Sequence, residues 1–251
     1  MSLNLQQRRY LKLMDIDVYV PRHVVAVPEP APGAVPAGQG ATQLALVATA
    51  STPVRPAVRN VSAAAAVEWE DIRRQVPACT RCGLHQERTQ TVFGVGNPCA
   101  QWLIIGEAPG AEEDKQGEPF VGRAGQLLNA MLAAVGLKRE EVFIANILKC
   151  RPPKNRDPKP DEAAACAPFL QKQIELIQPR IILALGRIAA QNLLHTDTPI
   201  GRMRGQRYEY PEPKVPVVVT YHPAYLLRSP TQKRKVWEDL QMAMGILREQ
   251  A

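Results

Sequence analysis

The sequence predicts an α/β domain, a three-layer αβα sandwich around a central, mainly parallel four-stranded sheet. Three observations predict it. Four apolar runs of strand length stand at 102–105, 142–147, 181–185 and 217–221. Stretches with helical periodicity separate them, and alternation of strand and helix is the pattern of a parallel sheet covered on both faces. Each run also leads into a short motif rich in glycine, proline or polar residues, and in such sheets ligands bind beyond the carboxyl ends of the strands.

The elements follow in order. Residues 5–19 mix Tyr10, Leu11, Leu13, Met14 and Ile16 with Arg8, Arg9 and Lys12. This predicts a short amphipathic helix, either docking a protein partner or decorating a tail. Residues 24–67 are mostly Ala, Pro, Val, Gly and Thr, a composition that buries too little surface to offset its ordering entropy. They are expected to be a disordered linker, so that 1–66 form an extension and 67–251 the folded domain. A short helix is expected at 69–76, then the first strand and a long polar loop over 107–122. Leu127, Leu128, Met131, Leu132 and Val135 share one helical face. Beyond the second strand, a helix over 161–177 has Asp161 near its cap. The third strand runs into Gly186 and a helix to about 194, and the fourth precedes a closing helix over 231–248.

The chain of 251 residues carries a net charge of +7, enough length for one good-sized core. No apolar run approaches a membrane span, and the N-terminus lacks a signal-peptide core. The expectation is therefore a cytoplasmic protein with no membrane association, whose cysteines act as ligands and not as disulfides. The basic residues gather in three groups: Arg151, Lys154, Arg156 and Lys159; Arg202, Arg204 and Arg207; Arg228, Lys233, Arg234 and Lys235. Loops with this composition suit phosphate contacts and point to a nucleic acid.

Cys79 and Cys82 form a C-x2-C pair, and after 67 residues Cys150 and Cys166 form C-x15-C. Four thiolates suit zinc or an iron–sulfur centre, and spacing alone does not separate the two. Cys99 reads as a small apolar residue.

After the first strand, Gly106-Glu107-Ala108-Pro109-Gly110 makes a tight turn with a carboxylate at the strand end. It lacks the G-x-G-x-x-G pattern and the phosphate-binding lysine of nucleotide loops. Phe120, in Gly117-Glu118-Pro119-Phe120-Val121-Gly122, is an aromatic on a loop, suited to stacking on a flat ring. Asn146 at the end of the second strand offers a donor and an acceptor for the edge of a base, four residues before Cys150. The fourth strand leads to His222, a donor for charge on a leaving group, and to Leu226 and Leu227, placed to wedge a duplex.

Taken together, Cys79-x2-Cys82, GEAPG at 106–110, GEPFVGRAG at 117–125, NILKCRPPKNR at 146–156 and HPAYLLR at 222–228 closely resemble the family 4 uracil-DNA glycosylases. The resemblance spans about 79–247 and excludes the first 66 residues. It implies a uracil-DNA glycosylase-like fold and hydrolysis of the bond between uracil and deoxyribose in single- or double-stranded DNA, by a monomer, as the first step of base excision repair. Cys79, Cys82, Cys150 and Cys166 would hold a structural 4Fe–4S cluster. Phe120 would stack on the flipped uracil, Asn146 would read its pairing edge and His222 would stabilise its departing charge. Glu107 would position or activate water, with Gly106 and Ala108 beside it and Glu113 in support, the last a candidate for excluding thymine. Arg151, Arg156, Leu226, Leu227 and Arg228 would contact DNA. The short Lys115-Gln116-Gly117 segment has no histidine-bearing insertion, which argues against covalent capture of DNA. A glycosylase for hypoxanthine or xanthine, and a non-catalytic DNA-binding iron–sulfur module, are the two other readings.

Overall fold

The structure, a computed structural model, describes Arg8, Leu11, Lys12, Ile16 and residues 62–250. These lie in one compact unit, Met1–Val18 with Arg59–Ala251. The expected linker lies outside the described residues up to position 61. Its last part is helical: α1 spans Ala63–Gln75, because four alanines favour helix and the Ser62 hydroxyl accepts from the Ala65 amide at 3.2 Å. The expected domain start at 67 therefore falls inside a helix.

Among the described residues the sheet has six strands, two more than expected: β1 (Val95–Gly96), β2 (Trp102–Gly106), β3 (Phe143–Asn146), β4 (Ile181–Leu185), β5 (Arg207–Tyr210) and β6 (Val215–Thr220), in the order β1-β3-β2-β4-β6-β5. The four central strands are parallel, and the additional two are antiparallel edges. Every residue of β2, β3, β4 and β6 is buried, which accounts for their unbroken apolar runs.

The period of two divides the core. Ile104, Ile144, Leu183 and Val218 face one side, against α3 (Arg123–Ala134) and α8 (Lys233–Glu249). Leu103, Ile105, Ile182, Val217 and Val219 face the other, against α4 (Pro160–Ile177) and α5 (Arg187–Leu194). The three-layer sandwich is thus observed. The expected long loop contains a short helix, α2 (Ala111–Gln116), while α6 (Ile200–Met203) precedes β5 and α7 (Pro223–Arg228) follows β6.

Near the N-terminus, Arg8, Leu11 and Lys12 are helical, as expected. Leu11 is only 2% exposed, and Ile16 packs against the α3–α8 core. Leu11 and Ile16, two of the apolar residues of the expected amphipathic helix, therefore pack on the chain's own domain. Among the described residues, no helix is long and apolar enough to cross a membrane.

Candidate active site

The chain passes from β2 outward to β3 and then returns to β4 on the far side of β2. That reversal opens a crevice at the carboxyl edge of the sheet. Parallel register sets Gly106 of β2 beside Asn146 of β3, and β6 ends two residues before His222. The result is a pocket of about 450 Å³ lined by Glu107, Ala108, Glu113, Phe120, Asn146, Arg156, His222 and Arg228, among others. All the residues expected to contact the base line it except Gly106, which packs against two of them, Asn146 and Phe120.

Glycine is required at 106. A Cβ there would stand 2.4 Å from Asn146 Oδ1 and 2.7 Å from the Phe120 ring. We expect Gly106→Ala to displace both groups and to lower single-turnover cleavage by about 100-fold, the usual order of loss for a misplacement near 1 Å. Unchanged cleavage would show that the two side chains need not be held in this position.

Phe120 sits at φ 55°, an uncommon backbone state for an aromatic residue. Its ring is nearly buried and lies 5.5 Å from the His222 ring at 31°. The loop is held by Glu113, whose carboxylate accepts from the Gly110 amide at 3.1 Å, the Val121 amide at 3.0 Å and the Gly122 amide at 3.3 Å. One side chain therefore straps the turn after β2 to the Phe120 loop.

Asn146 is 2% exposed, and its Oδ1 has no hydrogen-bond partner. A buried unpaired acceptor costs about 1–3 kcal/mol, a cost that a donor entering the pocket would remove. His222 caps α7: its Nδ1 accepts from the Ala224 amide at 3.1 Å. With Nδ1 accepting, the ring proton of the neutral imidazole resides on Nε2. Burial, reinforced by nearby Arg228, lowers the imidazole pKa to about 4, so the ring is neutral near pH 7.

Glu107 is pushed the other way. Burial, helped by Asp157, raises its carboxyl to about 7, and Arg187 partly opposes this. Asp157 and Arg187 are themselves paired at 2.6 Å. A carboxylate poised near neutrality is suited to general-base work.

Several site features escaped sequence reasoning. Asn155, Asp157 and Tyr225 line the pocket. The first two lie in the loop after Cys150, where Lys154 and Asn155 both adopt φ 54° and turn the chain back toward the sheet. Positions 154 and 155 give no periodic signal, although asparagine tolerates this conformation. Lys149 is fully buried, with Nζ donating to the Asn146 carbonyl at 3.0 Å and to Gln173 Oε1 at 2.6 Å. Burial lowers its pKa to about 8.

The expected DNA contacts divide. Arg228 is exposed at the pocket, and Leu227 is 38% exposed. Leu226 is 0% exposed and belongs to the core, so it is not a wedge; the turn of α7 points it inward while its neighbours face out. Arg156 lines the pocket but its guanidinium forks onto Glu162 at 2.8 and 2.5 Å. Arg151 donates to Asn155 Oδ1 at 2.8 Å and braces the loop. Of the wider basic groups, Arg204 is tied to Asp239 and Lys233 is buried, so neither is an open phosphate contact.

Cys79, Cys82, Cys150 and Cys166 converge in a third small core with Ile72, Val76, Leu84, Leu148 and Phe169. The Lys149 amide donates to Cys166 Sγ at 3.3 Å and Arg88 to Cys150 Sγ at 3.1 Å. Burial raises both thiols, Cys166 to about 11. Among the described residues, no group of three or more His, Cys, Asp or Glu is set to grip a single metal ion. Four gathered sulfurs with N–H donors aimed at two of them fit the all-thiolate donor set of an iron–sulfur cluster.

A mainly parallel α/β sheet bearing a pocket lined with polar side chains at its switch point, beside a four-thiol core, defines the class. The sequence profile of the Uracil DNA glycosylase superfamily matches residues 93–241. A type-4 uracil-DNA glycosylase of Archaeoglobus fulgidus is 49% identical over 175 residues, covering 67% of this chain and 87% of that protein. Those of Sulfurisphaera tokodaii and Thermotoga maritima are 45% and 44% identical, over 68% and 72% of this chain and 80% and 95% of theirs. The chain belongs to the type-4 uracil-DNA glycosylases.

Proposed function

We propose that this protein, as a monomer, hydrolyses the N-glycosidic bond of uracil in DNA, using the side chains gathered at the carboxyl edge of the sheet. The observation that carries the reading is the orphan acceptor of Asn146 beside an Nε2-protonated, neutral His222. Uracil presents an N3–H donor on its pairing edge, which satisfies Asn146 Oδ1. Cytosine presents a bare nitrogen there, leaving two acceptors face to face. The flipped base stacks on Phe120, and His222 Nε2–H donates to the uracil O2 as negative charge develops on the leaving base. Glu107, as the carboxylate, holds or deprotonates the attacking water and favours positive charge on the sugar. Glu113, immobilised by three backbone donors, is the rigid wall to which we assign exclusion of the thymine methyl group. One copy of the chain holds every one of these groups, so no second subunit is required.

Cys79, Cys82, Cys150 and Cys166 would hold a 4Fe–4S cluster. When bound, it supplies a cross-link between the C-x2-C loop, the loop after β3 and α4. Lys149 joins the Cys166 sulfur to the Asn146 carbonyl, so the cross-link bears on the base-reading residue through this chain's own contacts.

The test is single-turnover cleavage of a uracil oligonucleotide beside hypoxanthine and thymine controls. Release of uracil alone is expected. Release of hypoxanthine at a comparable rate would replace this reading with a broader glycosylase, and no release with DNA still bound would replace it with a binding module.

A pH profile tests Glu107 separately. Its pKa is raised to about 7 and the active form is the carboxylate, so the rate should climb as pH rises through about 7. Asp157→Asn removes an anion that disfavours ionisation, and should move this limb to lower pH. Arg187→Gln removes a stabilising cation and should move it to higher pH. A flat profile across this range in all three proteins would exclude Glu107 as the ionising group.

A further inference from the structure

The face of α7 turned toward the pocket is not the one its leucines suggested. Leu226 is spent on the core, and Leu227 does not line the cavity. Tyr225 and Arg228 do line it, three residues apart on the same helical face. Tyr225 is 37% exposed, one of only three large hydrophobic side chains left open among the described residues.

The ring is open, but it is backed. Tyr221 lies behind it with centroids 5.0 Å apart, and the Arg204 guanidinium sits 4.6 Å over the Tyr221 ring. Arg204 is fixed in turn by Asp239 at 2.8 Å and by the Lys235 carbonyl. The buried Asp239 also accepts from the Thr220 hydroxyl at 2.6 Å. This chain of contacts runs from the end of β6 through α8 to the pocket mouth. It holds one aromatic surface in place before any ligand arrives, which reduces the ordering cost of binding.

We propose that Tyr225 is the stacking platform for the nucleobase adjacent to the uracil on the same strand. The proposal rests on the uracil-DNA reading above. Phe120 lies inside the pocket, where the flipped base goes, and Tyr225 lines the same cavity at its mouth. The next nucleotide of that strand is linked through a single phosphate, and Arg228 stands exposed beside Tyr225 to meet it. Stacking reads no sequence and needs no complementary strand. Tyr225 therefore serves single-stranded and duplex substrates alike, whereas Leu227, on the far side of α7, is left for the duplex side.

The test uses the full chain with its cluster and four proteins: wild type, Tyr225→Ala, Tyr225→Phe and Leu227→Ala. Single-turnover rates against enzyme concentration are measured on single-stranded and duplex uracil oligonucleotides. A second readout is the quenching of 2-aminopurine placed next to a non-hydrolysable 2′-fluorinated deoxyuridine. Tyr225→Ala is expected to raise the half-saturating concentration about tenfold or more on both substrates, the order of one lost base–aromatic stack. The maximal rate should change little, quenching should be lost, and Tyr225→Phe should restore both. Leu227→Ala should spare the single strand. A phenylalanine variant as impaired as alanine would assign the effect to the hydroxyl and overturn the proposal. So would a loss confined to duplexes, or wild-type quenching that survives Tyr225→Ala. Failure of the wild type to cleave uracil would overturn the uracil reading instead, and the quenching comparison would still decide whether Tyr225 stacks on a base.

Discussion

Replacing His222 by alanine should lower the maximal rate by about 100- to 1,000-fold while DNA affinity changes only a few-fold. The magnitude is that of removing one preorganised donor from a developing anion. The ring is neutral and its Nε2–H is the only donor it offers, because Nδ1 is occupied by the Ala224 amide. This dual use complicates the alanine variant: losing the helix cap costs about 1 kcal/mol in its own right. His222→Asn separates the two effects. Asparagine caps α7 as histidine does but places no donor at the Nε2 position, so it should melt near the wild type and cleave as poorly as alanine. An active His222→Asn would show that the residue matters only for holding α7. With the imidazole pKa lowered to about 4, the rate should also show no descending limb near pH 6.5.

Cys166→Ser should act on the fold before it acts on chemistry. Cys166 lies on α4, buried, with the Lys149 amide on its sulfur. On the proposed function Cys166 is one of four cluster ligands, and its loss removes a cross-link between α4, the loop after β3 and the C-x2-C loop. A structural metal centre contributes several kcal/mol. For a domain of this size that predicts a fall in melting temperature of about 10 °C or more. Iron content and visible absorbance should fall with it. Uracil cleavage should be lost in proportion to the folded fraction, with the Lys149–Asn146 link as a further route of loss. Cys99→Ser, outside the thiol core, should do neither. A Cys166→Ser protein with normal melting temperature and full activity would remove the structural role assigned to the cluster.

The parallel core was legible because its strands are covered on both faces, and complete burial writes an unbroken apolar run. The edge strands were not. β1 has only two residues, and β5, Arg207–Tyr210, carries charge because one side of it faces water. Helix α2 is polar along its length, Ala111-Glu112-Glu113-Asp114-Lys115-Gln116, so it has no periodic face to read. Its most telling residue, Glu113, is recognised by its three backbone donors, two of which, Val121 and Gly122, lie beyond the helix.

The sequence by itself determined the class of sheet, the four thiols and the motifs that follow β2, β3 and β6. Each of these is local, a matter of residue type at short spacing. Only the tertiary structure decided which side chains are free to act. Leu226, Arg204 and Lys233 read as surface and are packed or paired, while Lys149, a surface type, is sealed under the site. It also decided the charge states, with Glu107 near 7 and His222 near 4, and left the Asn146 side-chain Oδ1 without a partner. The physical reason is common to all of them. Burial and partnership depend on groups far apart in the chain, and desolvation, not residue identity, sets what a carboxylate, an imidazole or an amide will do.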